Sequence, residues 1–255
     1  MALQTQYLLQ GHYAFFSAPA LFLFFGTLFI YSAHRLYSLS KNGAASGYPY
    51  DKFRSLLWAN TSIGAVASVV CWYYLPGAAR WQTLVPCALA LAYILPVLPA
   101  KKRLRDVATL KIFLLSGCWS WLTVILPASA AGMGWSAVAF VMAIGRAAFI
   151  FALCIGFDIR DQQRDKEAGV NTLPVKFGER TAIAFAFMAL LLSVFISILF
   201  TSASIYLESA AYSMAISGVM ALVLVAGSGQ KNRNLFYFLF GVDGMMILQF
   251  LLVLC

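Results

Sequence analysis

An all-α integral membrane protein, a bundle of about eight transmembrane helices, is what this chain predicts, and three observations predict it. The sequence is 62% hydrophobic and only 11% charged, too little polar surface to cover a water-soluble globule of 255 residues. Its apolar runs reach about 20 residues, the length that carries a helix across a hydrocarbon core roughly 30 Å thick. No alternation of period two runs through them, so the strands of a membrane barrel are excluded. Lipid offers no partner to a backbone amide, and each run must therefore close its own hydrogen bonds as a helix.

Taken in order, the runs predict spans over 12–33, 54–75, 82–99, 110–129, 134–156, 181–201, 205–227 and 235–254, in one helical domain covering 1–255. The first stops ahead of Arg35 and Lys41, and Lys52 and Arg54 open the second. The third gives way to Lys101, Lys102, Arg103 and Arg105, with Lys111 at the foot of the fourth. The fifth leads into Asp158 to Arg180, and the seventh ends before Lys231 and Arg233. Prolines inside runs, such as Pro19, Pro86 and Pro96, are tolerable because neighbouring helices satisfy the freed carbonyls. Cys71, Cys87, Cys118, Cys154 and Cys255 show no CxxC spacing and read as packing residues. The start lacks a basic region and a small-residue cleavage site, so the first span is expected to stay in the protein.

A net charge of +9 raises the question of nucleic acid, but its distribution answers to topology. All basic residues except Arg80 and Arg146 fall on alternate loops. The positive-inside rule makes those loops cytoplasmic and places both termini on the far side. Nucleic acid is not an expected partner; membrane lipids are.

Acidic residues contribute little to topology, so Asp158, Asp161, Asp165 and Glu167 need another account. One is a solvated loop laced with ion pairs, since Arg160, Arg164 and Lys166 are interleaved with them. The other follows from spacing. Positions i, i+3 and i+7 on a helix continuing the fifth span share one narrow stripe, which turns three carboxylates toward the same point. Such a stripe repels itself unless a cation sits among the carboxylates. Oxygen-only ligands suit Mg²⁺, which binds through one or two carboxylates plus waters and substrate phosphates.

The stretch "DIRDQQRDKEAGVNTLPVKFG" resembles the second aspartate-rich motif of the UbiA superfamily of intramembrane prenyltransferases. Asp161 and Asp165 match its DxxxD positions, Asp158 lies where members often carry Asn or Asp, and Gly169, Thr172, Leu173, Pro174 and Gly178 follow in register. "LPAKKRLRDVATLKIFLLSGCWSWLTVILP" is similar to the family's basic loop and the Gly- and Trp-bearing helix after it. The resemblance implies a UbiA-like bundle whose central cavity opens to lipid. It also implies Mg²⁺ on Asp158, Asp161 and Asp165, a prenyl diphosphate as substrate, and phosphate contacts from Lys101, Lys102, Arg103 and Arg105. Asp161 and Asp165 are then the catalytic carboxylates.

The family's first motif, NDxxDxxxD, is not kept. Its place reads "YSAHRLYSL", with Ser32, Arg35 and Leu39 standing where aspartates are expected. Arg35 is a candidate replacement cation, since guanidinium binds phosphate oxygens bidentately and keeps its proton, with His34 beside it. An ordinary positive-inside arginine is the alternative. Family members usually carry two helices before that motif and only one full span precedes it here, so "MALQTQYLL" reads as the closing turns of a first helix.

Arg146 and Asp243 lie inside spans and should pair structurally, with each other the simplest arrangement. Asp51 is expected to cap the second helix. Trp119, Trp121 and Tyr93 are candidates to line an isoprenoid tail. No P-loop, HExxH, GxSxG or Rossmann fingerprint occurs in a usable context. The expectation is Mg²⁺-dependent transfer of an isoprenoid group from a prenyl diphosphate to a hydrophobic acceptor in the membrane, the inner membrane if the source is bacterial. The alternatives are a membrane terpene cyclase of the same superfamily and a non-catalytic homologue that binds lipid or a partner.

Overall fold

Helices account for every regular element among the residues that this computed structural model describes, 1–42, 53–94, 108–230 and 233–254. In chain order they are α1 (Ala2–Gln10), α2 (Ala18–Asn42), α3 (Arg54–Tyr73), α4 (Gly77–Ile94) and α5 (Ala108–Ser120). A π-helical turn, Trp121–Ile125, joins α5 to α6 (Leu126–Ala130). There follow α7 (Ala137–Glu167), α8 (Leu173–Phe177), α9 (Glu179–Ser202) and α10 (Glu208–Ala226), and a second π-helical turn, Tyr237–Val242, precedes α11 (Met245–Leu254).

Seven helical segments among the described residues are long and apolar enough to cross a bilayer. The third expected span, 82–99, runs partly outside the described residues. Within them α4 occupies its place, and Arg80 and Gln82 near its start dilute its apolar character. The first expected span, 12–33, also starts later than the apolar run suggested, with α2. Gln6 accepts from Ala14 N–H at 3.2 Å and donates to Ser17 Oγ at 2.7 Å, which ties residues 12–17 back onto α1 and delays α2 to Ala18.

The core gathers around α7. Phe149, Leu153, Ile155 and Ile159 on that helix pack with Ile112 of α5, Leu173 of α8, Leu190 of α9, Val225 of α10 and Phe238 and Met245 near the C-terminus. Outward-facing side chains of the other spans are large and apolar, such as Val66 and Val70 on α3 and Leu191 and Phe195 on α9. An exposed apolar surface of this extent is what lipid solvates.

Helices α2 and α3 approach to backbone contact. A Cβ placed at Gly64 would stand 2.8 Å from Phe29 N and 3.0 Å from Phe25 O, backbone atoms that cannot step aside. Small residues at helix crossings serve this purpose in membranes, where apolar burial gives no advantage over lipid and close van der Waals contact must supply the attraction. Gly64→Val is therefore expected to lower stability by about 1–3 kcal/mol, read as a fall in melting temperature in detergent. Gly26→Ala on α2, where an added Cβ meets nothing within 4 Å, should leave it unchanged.

Candidate functional site

Helix α7 carries the acidic stripe, and its two ends explain why it runs so far. Ser136 caps the start by accepting Ala139 N–H at 3.1 Å. At the other end Gly169 takes φ 69°, and two bonds close the helix: Gly169 N–H to Lys166 O at 3.2 Å and Val170 N–H to Asp165 O at 2.8 Å. That is a Schellman arrangement, whose left-handed residue favours glycine. Arg164 and Lys166 sit in the last turn, where positive charge suits the helix dipole. Asp165 sits there too, at the end that disfavours a carboxylate.

The stripe is a strip rather than a point. Asp158 and Asp165 are seven residues apart, about 10.5 Å along the axis at 1.5 Å per residue. The convergence on one point that the spacing suggested is corrected accordingly: among the described residues, no group of three His, Cys, Asp or Glu side chains gathers to hold one ion. Asp158 is 3% exposed and pairs through Oδ1 with Lys111 Nζ of α5 at 3.1 Å. Asp161 is held between two guanidiniums, Arg160 at 2.9 Å and Arg164 at 2.8 Å. Arg160 in turn lies over the rings of Phe157 at 5.1 Å and Phe238 at 4.8 Å.

Two oxygens of the strip, Asp158 Oδ2 and Asp165 Oδ2, are buried without a hydrogen-bond partner among the described residues. A buried acceptor left unmet costs about 1–3 kcal/mol, and a hard cation with oxygen ligands removes that cost. The two unmet oxygens, at opposite ends of the strip, are of the chemical type that Mg²⁺ takes, each for an ion of its own.

Below the carboxylates the same face of α7 continues as Cys154, Phe151, Ala147 and Ile144, at spacings of three and four. These side chains are exposed or half-buried, whereas their neighbours Leu153, Ala152, Phe149 and Ala148 are buried. Phe151 pairs with Phe113 of α5 at 5.2 Å. A polar strip and an apolar strip therefore share one face of α7.

Above this face the short helix α8 folds back. Gln162 Nε2 donates to Pro174 O at 2.8 Å, and Leu173 and Pro174 are buried. The segment "TLPV" forms a separate turn ahead of α9.

Other sequence candidates fall differently. Arg35 is exposed on α2, a helix packed chiefly on α3, and among the described residues no hydrogen bond or ion pair joins it to the carboxylates. Lys101, Lys102, Arg103, Arg105 and Asp51 lie outside the described residues, as does the side chain of Tyr93. Trp121 donates to Gln82 O at 3.0 Å and meets Trp135 edge-on.

The expected pairing of Arg146 with Asp243 does not occur. Arg146 bonds amide oxygens, those of Gln4 and Gln249, while Asp243 interacts electrostatically with Arg160. The π-helical turn Tyr237–Val242 shifts the register ahead of Asp243 and turns it toward the acidic end of α7. Lys111 was legible only as a loop cation. Its role needs the approach of α5 to α7, which spacing does not reveal.

The Lys111–Asp158 pair can be weighed by mutation. Lys111→Met leaves a buried carboxylate unanswered and is expected to cost about 2–3 kcal/mol, the lower part of the usual range because the lysine side chain is 28% exposed. Adding Asp158→Asn should return more than half of that loss in a double-mutant cycle read by thermal melting.

No curated protein and no solved structure matches the chain. One family model does, and it covers residues 52–242, from the start of α3 to the π-helical turn before α11. The match includes the whole acidic stripe, the α8 turn and the helices that support them, in a multi-pass membrane bundle of the kind that houses intramembrane prenyl transfer. This chain belongs to the UbiA prenyltransferase family.

Proposed function

We propose that this protein is a Mg²⁺-dependent prenyltransferase that moves an isoprenoid group from a prenyl diphosphate to a hydrophobic acceptor within the membrane. The observation that carries the reading is the shared face of α7, where carboxylates at one end give way to open apolar side chains at the other. A prenyl diphosphate has the same division, an anionic head on an apolar tail. The head lies along Asp158, Asp161 and Asp165, and the tail follows Cys154, Phe151, Ala147 and Ile144 into the bilayer.

Asp158, Asp161 and Asp165 would hold Mg²⁺ as separate ions along the strip rather than one ion at a single point, with Asp158 and Asp165 each bringing an unmet oxygen. The chemistry a bound Mg²⁺ supplies is neutralisation of the charge that builds on a leaving diphosphate. Lys111 fixes the orientation of Asp158 and adds positive charge at the foot of the strip. Arg160 and Arg164 hold Asp161 in place, and Asp161 would be a ligand to a bound cation. Lys101, Lys102, Arg103 and Arg105 add phosphate contacts from the preceding loop, and Arg35 supplies the charge that the altered first motif lacks. Phe151 and Phe113 present ring faces to the departing allylic group, which aromatic quadrupoles stabilise. The basic loops support a cytoplasmic side for this end of the bundle.

A second reading, a binding protein without chemistry, is favoured by one observation: Ser32, Arg35 and Leu39 replace the carboxylates of the first motif.

Thermal melting with a long-chain prenyl diphosphate tests the proposal, because a ligand that binds only the folded state must stabilise it. At a hundredfold excess over its Kd the gain is about 2.7 kcal/mol. The expected result is a rise in melting temperature that needs Mg²⁺, disappears in Asp165→Asn and shrinks in Asp161→Asn. No rise with or without Mg²⁺ would overturn the diphosphate site, and a Mg²⁺-dependent rise without turnover on any hydrophobic acceptor would favour the binding protein. Arg35→Ala should weaken diphosphate binding by about tenfold, the scale of one charge-assisted hydrogen bond; unchanged affinity would remove Arg35 from the site.

A further inference from the structure

A charge inside a membrane span has to be answered within the protein, and for Arg146 the described residues hold no counter-charge. This arginine is 5% exposed and sits about 18 Å along α7 from Asp158, on the face opposite the open strip. Through Nη1 it donates to Oε1 of Gln4 on α1 and, at 3.4 Å, to Oε1 of Gln249 on α11, and the same atom touches Met1 Sδ. None of these groups is anionic, and none of the ion pairs among the described residues involves Arg146. Guanidinium cannot shed its proton to escape, so the positive charge persists in a low-dielectric setting.

A cavity of about 20 Å³ adjoins it, with a polar wall made of Arg146, Ser193, Ser197, Tyr206 and Gln249. Three of these groups, Arg146, Tyr206 and Ser193, bring donors without acceptors among the described residues. All hydrogen bonds of Arg146 leave from Nη1, so Nε and Nη2 make none to the described residues. The hydroxyls of Tyr206 and Ser193 likewise donate to none of them, although both residues are 7% exposed. Burial holds the Tyr206 phenol well above its ordinary range against the opposing pull of Arg146, so the ring keeps its proton and does not serve as a counter-ion. Ser197 spends its proton on Ser193 O at 3.0 Å, and the Gln249 amide donates to Ser217 Oγ at 3.1 Å.

The space exceeds the roughly 10–15 Å³ that one water needs, so a small ion fits. We propose that this cavity binds one monoatomic anion, chloride in the ordinary case, held by the free edge of the Arg146 guanidinium and the hydroxyls of Tyr206 and Ser193. The anion cancels the buried charge where α1, α7, α9 and α11 meet and cross-links them. It is remote from the carboxylate strip and independent of any reaction there.

Purified protein melted across a chloride titration, with gluconate holding the ionic strength constant, tests this directly. The expected result is a saturable rise in melting temperature with chloride and with bromide, and a bromide anomalous-scattering peak in the cavity. Arg146→Gln should abolish the response, and Tyr206→Phe should move the chloride midpoint up by about tenfold through loss of one donor to an ion. Identical melting in chloride and gluconate would overturn the proposal and leave water as the occupant, and so would a chloride response that survives Arg146→Gln. Where Arg146→Gln does not fold, the Tyr206→Phe midpoint decides, and an unshifted midpoint overturns it.

Discussion

Lipid cannot solvate a polar group, and that constraint orders the rest of this structure. Backbone amides are satisfied by helices, which is why the described residues contain no other regular element. Side-chain charges are harder to satisfy, and the chain places its most consequential ones on a single helix. Helix α7 bears a buried cation, Arg146, in its first half and the three aspartates of the strip, followed by Glu167, toward its other end. Each has to be answered by what packs against it.

At the acidic end the answers are graded. Asp161 is matched by two arginines, Asp158 is matched on one oxygen by Lys111 and unmatched on the other, and Asp165 keeps an unmatched oxygen against an unfavourable helix dipole. A wholly structural cluster would have paired all of them, since an unmet buried acceptor weakens the fold without return. On the proposed reading cations take up the unmet oxygens and an apolar tail lies along the strip below them. Both lie on one face of α7 because spacings of three and four residues keep side chains in line.

The surrounding helices hold this face in place rather than take part in it. Phe149, Leu153 and Ile159 on the opposite side of α7 knit it to α5, α9 and α10, and α8 folds over the acidic end through the Gln162 bond to Pro174. The α2–α3 pair is joined by a close backbone crossing at Gly64, and Phe22 of α2 packs with Ala79 of α4 and Leu126 of α6.

Much of this was legible without coordinates. Apolar runs of bilayer length specify a membrane bundle, because composition alone decides what water will accept. The i, i+3, i+7 spacing of Asp158, Asp161 and Asp165 places them on one face, because helix periodicity is local. Gly169 ends the helix for an equally local reason, the left-handed turn it permits. What the sequence left open depends on neighbours distant along the chain. Lys111 meets Asp158 across 47 positions. Arg146 turns to Gln4 and Gln249 instead of Asp243, since a π-helical turn re-aims the last helix. The sequence by itself determined the fold class, the acidic face and its family likeness; only the tertiary structure decided which charges are answered and which are left open, because electrostatic pairing in a low-dielectric interior is settled by packing distances that no local pattern encodes.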